Sequence, residues 1–211
     1  MPIFKKKGNI HEYSQYRGIK LLSHSLKLLE KVVEARIRRI VEGKLGEEQC
    51  GFRPGRGTTD LMFVIRQLLE KYLEVGKDVV LAFLDLEKAN DKVPCSIIWP
   101  IMRWYGVPEK LIALVKAMYR DPITRVRTTY GLTEGFNVAV GLRQGSAMSP
   151  LIFIMIMDFV SKRLPSENLK KLIYADDVAI VAESQAELQQ KVSGWCNELR
   201  SFGKLLYRDF Y

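Results

Sequence analysis

Two short apolar segments on either side of residue 175 are separated by an acidic turn. Residues 171–174 and 178–182 are each of strand length and rich in β-branched or aromatic side chains. Ala175, Asp176 and Asp177 lie between them, and a connection this short joins antiparallel neighbours in a hairpin. The chain is therefore predicted to contain an antiparallel hairpin with two carboxylates at its tip.

A third carboxylate, Asp85, stands at the end of another predicted strand. Residues 78–86 are apolar and β-rich, and the charged run that ends them begins at Asp85. If this strand lies beside the hairpin, Asp85, Asp176 and Asp177 converge. Carboxylate oxygens hold Mg²⁺ next to substrate phosphates, and phosphoryl transfer by two cations about 3.5–4 Å apart needs several of them. The simpler alternative is an aspartate pair that accepts hydrogen bonds from the turn backbone.

The rest of the chain alternates between helical and extended patterns. Apolar residues at three- and four-residue spacing, or a proline at the start, predict helices at 23–41, 58–72, 95–105, 109–119, 149–162 and 184–202. Residues 124–140 alternate around Gly131 and predict a second hairpin. Because no regular βαβ period is present, the predicted class is α+β, with helices on one face of the sheet.

The charge balance is strongly basic. Lys and Arg number 33 against 24 Asp and Glu, a net charge of +9 that is concentrated in residues 1–76, and such an excess favours a polyanionic partner. The three cysteines show no zinc or disulfide spacing, and no apolar run reaches the ~18 residues that span a bilayer. We therefore expect an intracellular protein, nuclear or cytoplasmic, without a membrane partner.

Three motifs resemble, in this order, the palm motifs of the reverse transcriptases of non-LTR (LINE-type) retrotransposons. They are AFLDLEKANDKVP at 82–94, GLRQGSAMSP at 141–150 and YADD at 174–177. The segments IFKKKG, YRGIKLL and EEQCGFRPGRGTTD resemble the fingers of the same family. The resemblance implies a right-hand polymerase with a fingers-like basic segment at 1–76 and a palm-like catalytic segment at 77–211, whose antiparallel palm sheet packs on helices.

The same resemblance implies an activity and a metal site. It implies an RNA-directed DNA polymerase that uses an RNA template, a DNA primer and deoxynucleoside triphosphates, with no obligate protein partner. Asp85 and Asp176 match the main metal ligands, with Asp177 beside them and the Leu86 carbonyl as a further ligand. The implied cofactor is a pair of Mg²⁺ ions, with Mn²⁺ as the alternative.

Further positions match parts of the family that contact nucleotide or template. Gln144 and Gly145 match the loop beside the templating base and incoming nucleotide, where glycine allows close backbone approach. Arg17 and Lys27 match finger positions that face the triphosphate. Arg53 and Arg56 lie in the FRPGR loop, which by resemblance runs near the template. An ordinary loop or a solvated charge is the alternative at each position.

Two departures from the family pattern affect the expected activity. Asn90 stands where the family carries an aromatic side chain that excludes a 2′-hydroxyl, and an amide can instead hydrogen-bond that hydroxyl. The family pattern also dissolves after Phe202, so we expect a truncated copy without the thumb. The alternative function is a noncatalytic remnant that binds nucleic acid through its basic fingers.

Overall fold

The structure is a computed structural model that describes residues 2–4, 6, 9, 11–12, 15–86, 89–120, 123–128, 130–138, 140–165 and 171–202. Its helices are α1 (His24–Val41), α2 (Thr58–Glu74), α3 (Ala89–Lys92), α4 (Cys95–Trp104), α5 (Glu109–Tyr119), α6 (Ser149–Arg163) and α7 (Gln185–Ser201), with a 3₁₀ turn at Glu42–Lys44. Its strands are β1 (Pro2–Phe4), β2 (Tyr16–Gly18), β3 (Val80–Asp85), β4 (Ile123–Thr124), β5 (Arg127–Thr128), β6 (Gly131–Leu132), β7 (Phe136–Asn137), β8 (Lys171–Tyr174) and β9 (Asp177–Ala182).

A three-stranded antiparallel sheet in the order β3-β9-β8 forms the centre of the fold. Its register sets Val80 opposite Ala182 and Asp85 opposite Asp177. On the other side of β9, Lys171 faces Ile180 and Tyr174 faces Asp177. The predicted α+β class is thus confirmed, and the strand that ends at Asp85 is a direct neighbour of the predicted hairpin.

Most of the apolar core lies on one face of this sheet. Ile173, Val178 and Ile180 point into it, together with Val33 and Ile37 of α1. Helix α6 is apolar on nearly every side and is buried along most of its length. Helix α7 contacts β9 and β3 and closes this layer.

Helix α2 packs on the opposite face, so the prediction of helices on one face only was wrong. Ile65 of α2 is buried against Leu172 and Ala179, with Leu81 partly buried beside them. Successive strand residues point to opposite faces, and here both sets, such as Leu172 and Ile173, are apolar. A sheet with two apolar faces needs cover on both sides.

The predicted helices are confirmed to within a few residues. Ser23 and Ser184 cap α1 and α7 by accepting hydrogen bonds from the backbone N–H groups of Leu26 and Glu187. The second predicted hairpin is also present, built from two short ladders that pair β4 with β7 and β5 with β6. In the part of the chain that the structure describes, no helix combines the length and apolarity needed to cross a membrane.

Candidate active site

Asp85 and Asp177 are cross-strand partners. They stand opposite each other at the ends of β3 and β9, and both are exposed. Directly opposite residues project from the same face of a sheet, with Cβ atoms about 4.5–5.5 Å apart. Two of the three predicted carboxylates are therefore side-by-side neighbours at one sheet edge.

Asp176 occupies the turn next to this pair. Because Tyr174 pairs with Asp177, only Ala175 and Asp176 form the connection between β8 and β9. Ala175 adopts a left-handed conformation, with φ of 56°, and is buried, whereas Asp176 is half-buried. This two-residue turn holds Asp176 at the same end of the sheet as Asp177.

The electrostatics of Asp177 reflect these neighbours. Although the Asp177 side chain is exposed, partial desolvation by its surroundings raises the pKa of its carboxyl above its ordinary value, and the charges of Asp176 and then Asp85 raise it further. Yet among the described residues, His, Cys, Asp and Glu side chains nowhere form a group of three that could hold a metal ion as it stands. The three carboxylates therefore interact through their charges without their oxygens meeting at one point.

Leu86, whose carbonyl was predicted as a further ligand, follows Asp85 directly. Its side chain is buried and its carbonyl oxygen accepts a hydrogen bond from the Ala89 backbone N–H at 3.2 Å. A carbonyl oxygen has two lone pairs, so one acceptor site is left for another partner. The role of Leu86 as a ligand stays a prediction.

The EEQCGFRPGRGTTD segment, which resembles the fingers of the family, packs against the acidic turn. The Cys50 N–H donates to the Ile173 carbonyl at 2.8 Å, and the Ile173 N–H donates to the Glu48 carbonyl at 2.8 Å. A Cβ atom added to Gly51 would lie 2.2 Å from the Ala175 backbone nitrogen. Only glycine fits against the turn that carries Asp176, and a glycine in a loop gave no signal of that partner.

Arg53 has a structural role that argues against the predicted phosphate contact. Its side chain is buried and forms an ion pair with Glu42 at 2.7 Å. The guanidinium also donates to the carbonyl oxygens of Gly46 at 2.7 Å and Gln49 at 3.1 Å. A phosphate contact would have to break these bonds. Arg56 pairs with Glu47 and is only partly covered, so its contact with template stays a prediction.

Asn90, Gln144 and Gly145 lie around one small cavity of about 110 Å³. The Leu142 N–H donates to the Asn90 carbonyl at 2.6 Å, and the Gln144 side chain donates to the Asp91 carboxylate at 2.6 Å. Residues that came from two separate motifs are thus brought together. Their predicted contacts with a nucleotide stay predictions.

Gly145 is required by a contact within the protein. Its φ is 103°, and an added Cβ would lie 2.7 Å from the Lys20 carbonyl oxygen. The Lys20 N–H also donates to the Gln144 carbonyl at 2.9 Å. The Lys20 backbone is therefore the neighbour that requires glycine at this position, and the predicted close approach of Gly145 to a nucleotide stays a prediction.

Arg17 and Lys27 are the two basic residues of the fingers that were predicted to face the triphosphate. Arg17 lies opposite Ile3 in the β1–β2 pair, and its side chain is outside the described part of the structure. Lys27 lies in the first turn of α1 and is half-buried. The predicted contacts of both side chains with a triphosphate stay predictions.

A buried polar network stabilises the loop at residues 46–51, which packs against the turn at Ala175 and Asp176. The fully buried Asp158 of α6 accepts hydrogen bonds from the Tyr105 hydroxyl, the Gly46 N–H at 2.8 Å and Lys162 at 2.6 Å. Lys171 of β8 donates to the Ser161 carbonyl at 2.8 Å. Burial, followed by the Asp158 charge, raises the pKa of Tyr105 and keeps its hydroxyl protonated as a donor.

The sequence matches a known family over most of its length. The profile described as "Reverse transcriptase (RNA-dependent DNA polymerase)" matches residues 4–205. A 149 kDa protein of transposon TX1 from Xenopus laevis is 26% identical over 201 residues, covering 90% of this chain and 15% of that protein. A probable RNA-directed DNA polymerase from transposon X-element of Drosophila melanogaster is 30% identical over 185 residues, covering 83% of this chain and 20% of that protein.

Solved structures show the same fold at low sequence identity. Telomerase from Candida tropicalis, truncated from its C-terminal domain, has a TM-score of 0.60 at 14% identity, covering 85% of this chain and 38% of that one. The same enzyme in complex with a fragment of telomeric RNA has a TM-score of 0.63 at 13% identity, covering 83% and 31%. The chain spans 15% of the TX1 protein and 20% of the X-element polymerase. It belongs to the reverse transcriptase (RNA-dependent DNA polymerase) family, and its relatives are proteins of non-LTR retrotransposons.

Proposed function

We propose that the chain carries the active site of an RNA-directed DNA polymerase in which Asp85, Asp176 and Asp177 hold divalent cations. The observation that carries this proposal is the cross-strand pairing of Asp85 with Asp177 beside the turn that contains Asp176. The substrates would be an RNA template, a DNA primer and deoxynucleoside triphosphates. Membership of the reverse transcriptase family supports this substrate class.

The chemistry of the three side chains fits a hard divalent cation. Carboxylate oxygens suit Mg²⁺, with Mn²⁺ as the alternative, and the Leu86 carbonyl would add an oxygen ligand. Desolvation, and then the charges of Asp176 and Asp85, raise the pKa of Asp177, and a bound cation would offset that clustered negative charge. Asp85 and Asp177 are exposed, so rotation of their side chains can bring their oxygens together. Two bound ions would supply charge neutralisation at the attacking 3′-hydroxyl and the leaving pyrophosphate.

The cavity at Asn90 is the proposed site of the incoming sugar. Gln144 and Gly145 line the same cavity as Asn90. Two motifs that are separate in the sequence would therefore contact one ligand. An Asn90 amide offers both a donor and an acceptor to a 2′-hydroxyl, which an aromatic ring would exclude. Sugar discrimination would therefore be weaker here than with an aromatic side chain.

The division into fingers and palm is proposed as a functional one. Residues 1–76 would act as basic fingers, with Arg17 and Lys27 facing the triphosphate and Arg56 near the template, and residues 77–211 as the palm. Val33 and Ile37 of α1 share one hydrophobic core with α6, which supports a single domain made of both segments.

Primer extension tests the proposal. Oligo(dT) annealed to poly(rA) is incubated with the chain, thymidine triphosphate and Mg²⁺ or Mn²⁺, and the Asp176→Asn variant is compared with Asp78→Asn, which alters an exposed carboxylate in the loop before β3. Extension by wild type and Asp78→Asn only is the expected result. Equal extension by Asp176→Asn would refute the site.

The alternative, a noncatalytic nucleic-acid-binding chain, is favoured by a single residue. Asn90 replaces the aromatic side chain at the proposed sugar site, a change that a polymerase under selection for deoxynucleotides would not be expected to keep. Salt-sensitive binding of the template–primer without extension under either metal would identify this function.

A further inference from the structure

Backbone hydrogen bonds join the two segments that meet at the proposed sugar cavity. The Leu142 N–H donates to the Asn90 carbonyl at 2.6 Å. The Gly141 N–H donates to the Val93 carbonyl at 2.8 Å. A Cβ atom added to Gly141 would lie 2.6 Å from the Asp91 carbonyl oxygen, so the two backbones are in direct contact. The relative position of the two segments is therefore determined by the main chain.

The Asp91 carboxylate holds the side-chain amide of Gln144. Its Oδ1 atom accepts a hydrogen bond from Gln144 Nε2 at 2.6 Å, and a hydrogen bond to a charged carboxylate is stronger than one between neutral groups. An ionised carboxylate only accepts hydrogen bonds, so the amide nitrogen must be the atom that faces it. The carbonyl oxygen of the Gln144 amide therefore points away from Asp91.

This orientation leaves a hydrogen-bond acceptor at the cavity. Gln144 lines the cavity of about 110 Å³, whereas Asp91 is not among its described lining residues. Gln144 is half-buried, and no donor in the described part of the chain bonds to its Oε1 atom. Because the amide nitrogen is bound outside the lining, Oε1 is the polar atom of this side chain that a ligand can reach.

Asn90, the other amide that lines the cavity, is not held in this way. Within the described ranges its side chain has no hydrogen-bond partner, so its amide can turn either end toward a ligand. The cavity thus combines one adaptable amide with one whose polarity is set. A ligand group that donates a hydrogen bond satisfies Gln144 Oε1, whereas a group without a donor leaves it unpaired.

We infer that Asp91 is a positioning residue, which keeps the Gln144 carbonyl oxygen toward the cavity so that the cavity selects a ligand with a hydroxyl donor. The inference rests on the proposed function for the identity of the ligand, because the donor is then a hydroxyl of the sugar of an incoming nucleotide. Asp91 acts on this ligand only through Gln144.

Nucleotide binding, measured by equilibrium dialysis, tests this role without requiring catalysis. The probes are uridine triphosphate, its 2′-deoxy form and its 2′,3′-dideoxy form, each with Mg²⁺, which differ only in their sugar hydroxyls. The wild-type chain should bind the nucleotide that carries the donor about threefold to tenfold more tightly than the dideoxy form, the effect of one hydrogen bond. Comparison of the three probes shows whether the 2′- or the 3′-hydroxyl is the donor.

Asp91→Asn should reduce this ratio of affinities toward one. An asparagine amide can donate as well as accept, so the Gln144 amide is no longer held with its oxygen toward the cavity. Loss of a negative charge strengthens the binding of all three triphosphates alike, so the ratio isolates the orientation of the amide. Asp78→Asn removes the same charge from the loop before β3 and, as the matched control, should keep the wild-type ratio.

A double-mutant cycle separates positioning from a general structural effect. Gln144→Met keeps the length of the side chain without its amide and should reduce the ratio as much as Asp91→Asn does. Adding Asp91→Asn to Gln144→Met should then cause no further change. An unchanged ratio in Asp91→Asn, or a further fall in the double variant, would overturn the inference.

The failure of this inference is distinguishable from the failure of the proposed function. A wild-type chain that binds all three probes equally, or binds none of them, would refute the role of Asp91 whatever its polymerase activity. A chain that fails to extend primers, yet shows the expected ratio and its loss in Asp91→Asn, would remove the proposed polymerase activity and leave the role of Asp91 assigned.

Discussion

Asp85, the last residue of β3, stands directly opposite Asp177, the first residue of β9. Like charges in this position destabilise a pair of strands. The adjacent Asp176 adds a third negative charge at the same edge. Repulsion among these carboxylates lowers the stability of the fold. The same cluster of negative charge attracts cations, which is a common trade-off at functional sites.

Replacing Asp177 should therefore stabilise the protein at neutral pH. Burial and the charges of Asp176 and Asp85 raise the pKa of Asp177 in the folded state, so the native chain binds more protons than the unfolded chain at pH values just above 3.8. Stability is lost as the pH rises through the raised pKa. Thermal unfolding of Asp177→Asn should show a higher melting temperature than wild type at pH 7, and the difference should vanish below pH 3.8.

The exposed Asp78 provides the control for this effect. Asp78→Asn should leave the melting temperature close to that of wild type at every pH. A melting temperature for Asp177→Asn at or below the wild-type value at pH 7 would show that the three carboxylates do not repel one another.

Gly51→Ala should destabilise the acidic turn. The added methyl group would meet the Ala175 backbone nitrogen at 2.2 Å, so the loop or the turn must move. Overpacking of this kind costs about 1–3 kcal/mol, measurable by urea unfolding. Gly43→Ala is the matched control, since nothing lies within 4 Å of its added Cβ. Equal stability of the two variants would rule out the contact.

Tyr105→Phe should weaken the buried network beneath the site. The variant removes a hydrogen bond to Asp158, which is fully buried, and should cost about 1–3 kcal/mol in the free energy of unfolding. Tyr72→Phe removes an exposed hydrogen bond to Glu183 and should cost less. Urea unfolding that ranks Tyr72→Phe as the more damaging change would contradict this role for Asp158.

The sheet and its carboxylates could be predicted because their signals are local. Strand-length apolar runs and the short connection at Ala175 and Asp176 determine an antiparallel hairpin within a few residues of sequence. Predicting Asp85 beside Asp177 also required that two strands far apart in the chain pair with each other. The order of the three motifs in the sequence indicated that pairing.

The contacts of loop residues could not be predicted in the same way. The residues around Arg53 have the composition of an exposed basic loop. Arg53 is nevertheless buried and paired with Glu42, because its exposure depends on which distant segment packs over the loop. Gly51 and Arg143 gave no local signal of their partners Ala175 and Tyr119. The second apolar face that receives α2 was missed because an apolar run does not reveal how many faces are covered.

Asn90→Tyr should restore discrimination between sugars if the chain extends primers. A ring at this position would fill the space of a 2′-hydroxyl, so ribonucleotide use relative to deoxynucleotide use should fall about tenfold. Asn90→Ala separates the effect of the amide hydrogen bond from the effect of the filled space, because it removes the amide and leaves the space open. An unchanged ratio of ribonucleotide to deoxynucleotide incorporation in Asn90→Tyr would refute the sugar-site assignment.

Binding of Mn²⁺, followed by titration calorimetry, tests the carboxylate site most directly. The wild-type chain and the Asp78→Asn control should bind two ions, as a two-cation mechanism requires. Asp85→Asn/Asp176→Asn should lose both, although circular dichroism should show that it folds. Mn²⁺ binding by this double variant with wild-type affinity and stoichiometry would contradict the assignment of Asp85, Asp176 and Asp177 as the metal ligands.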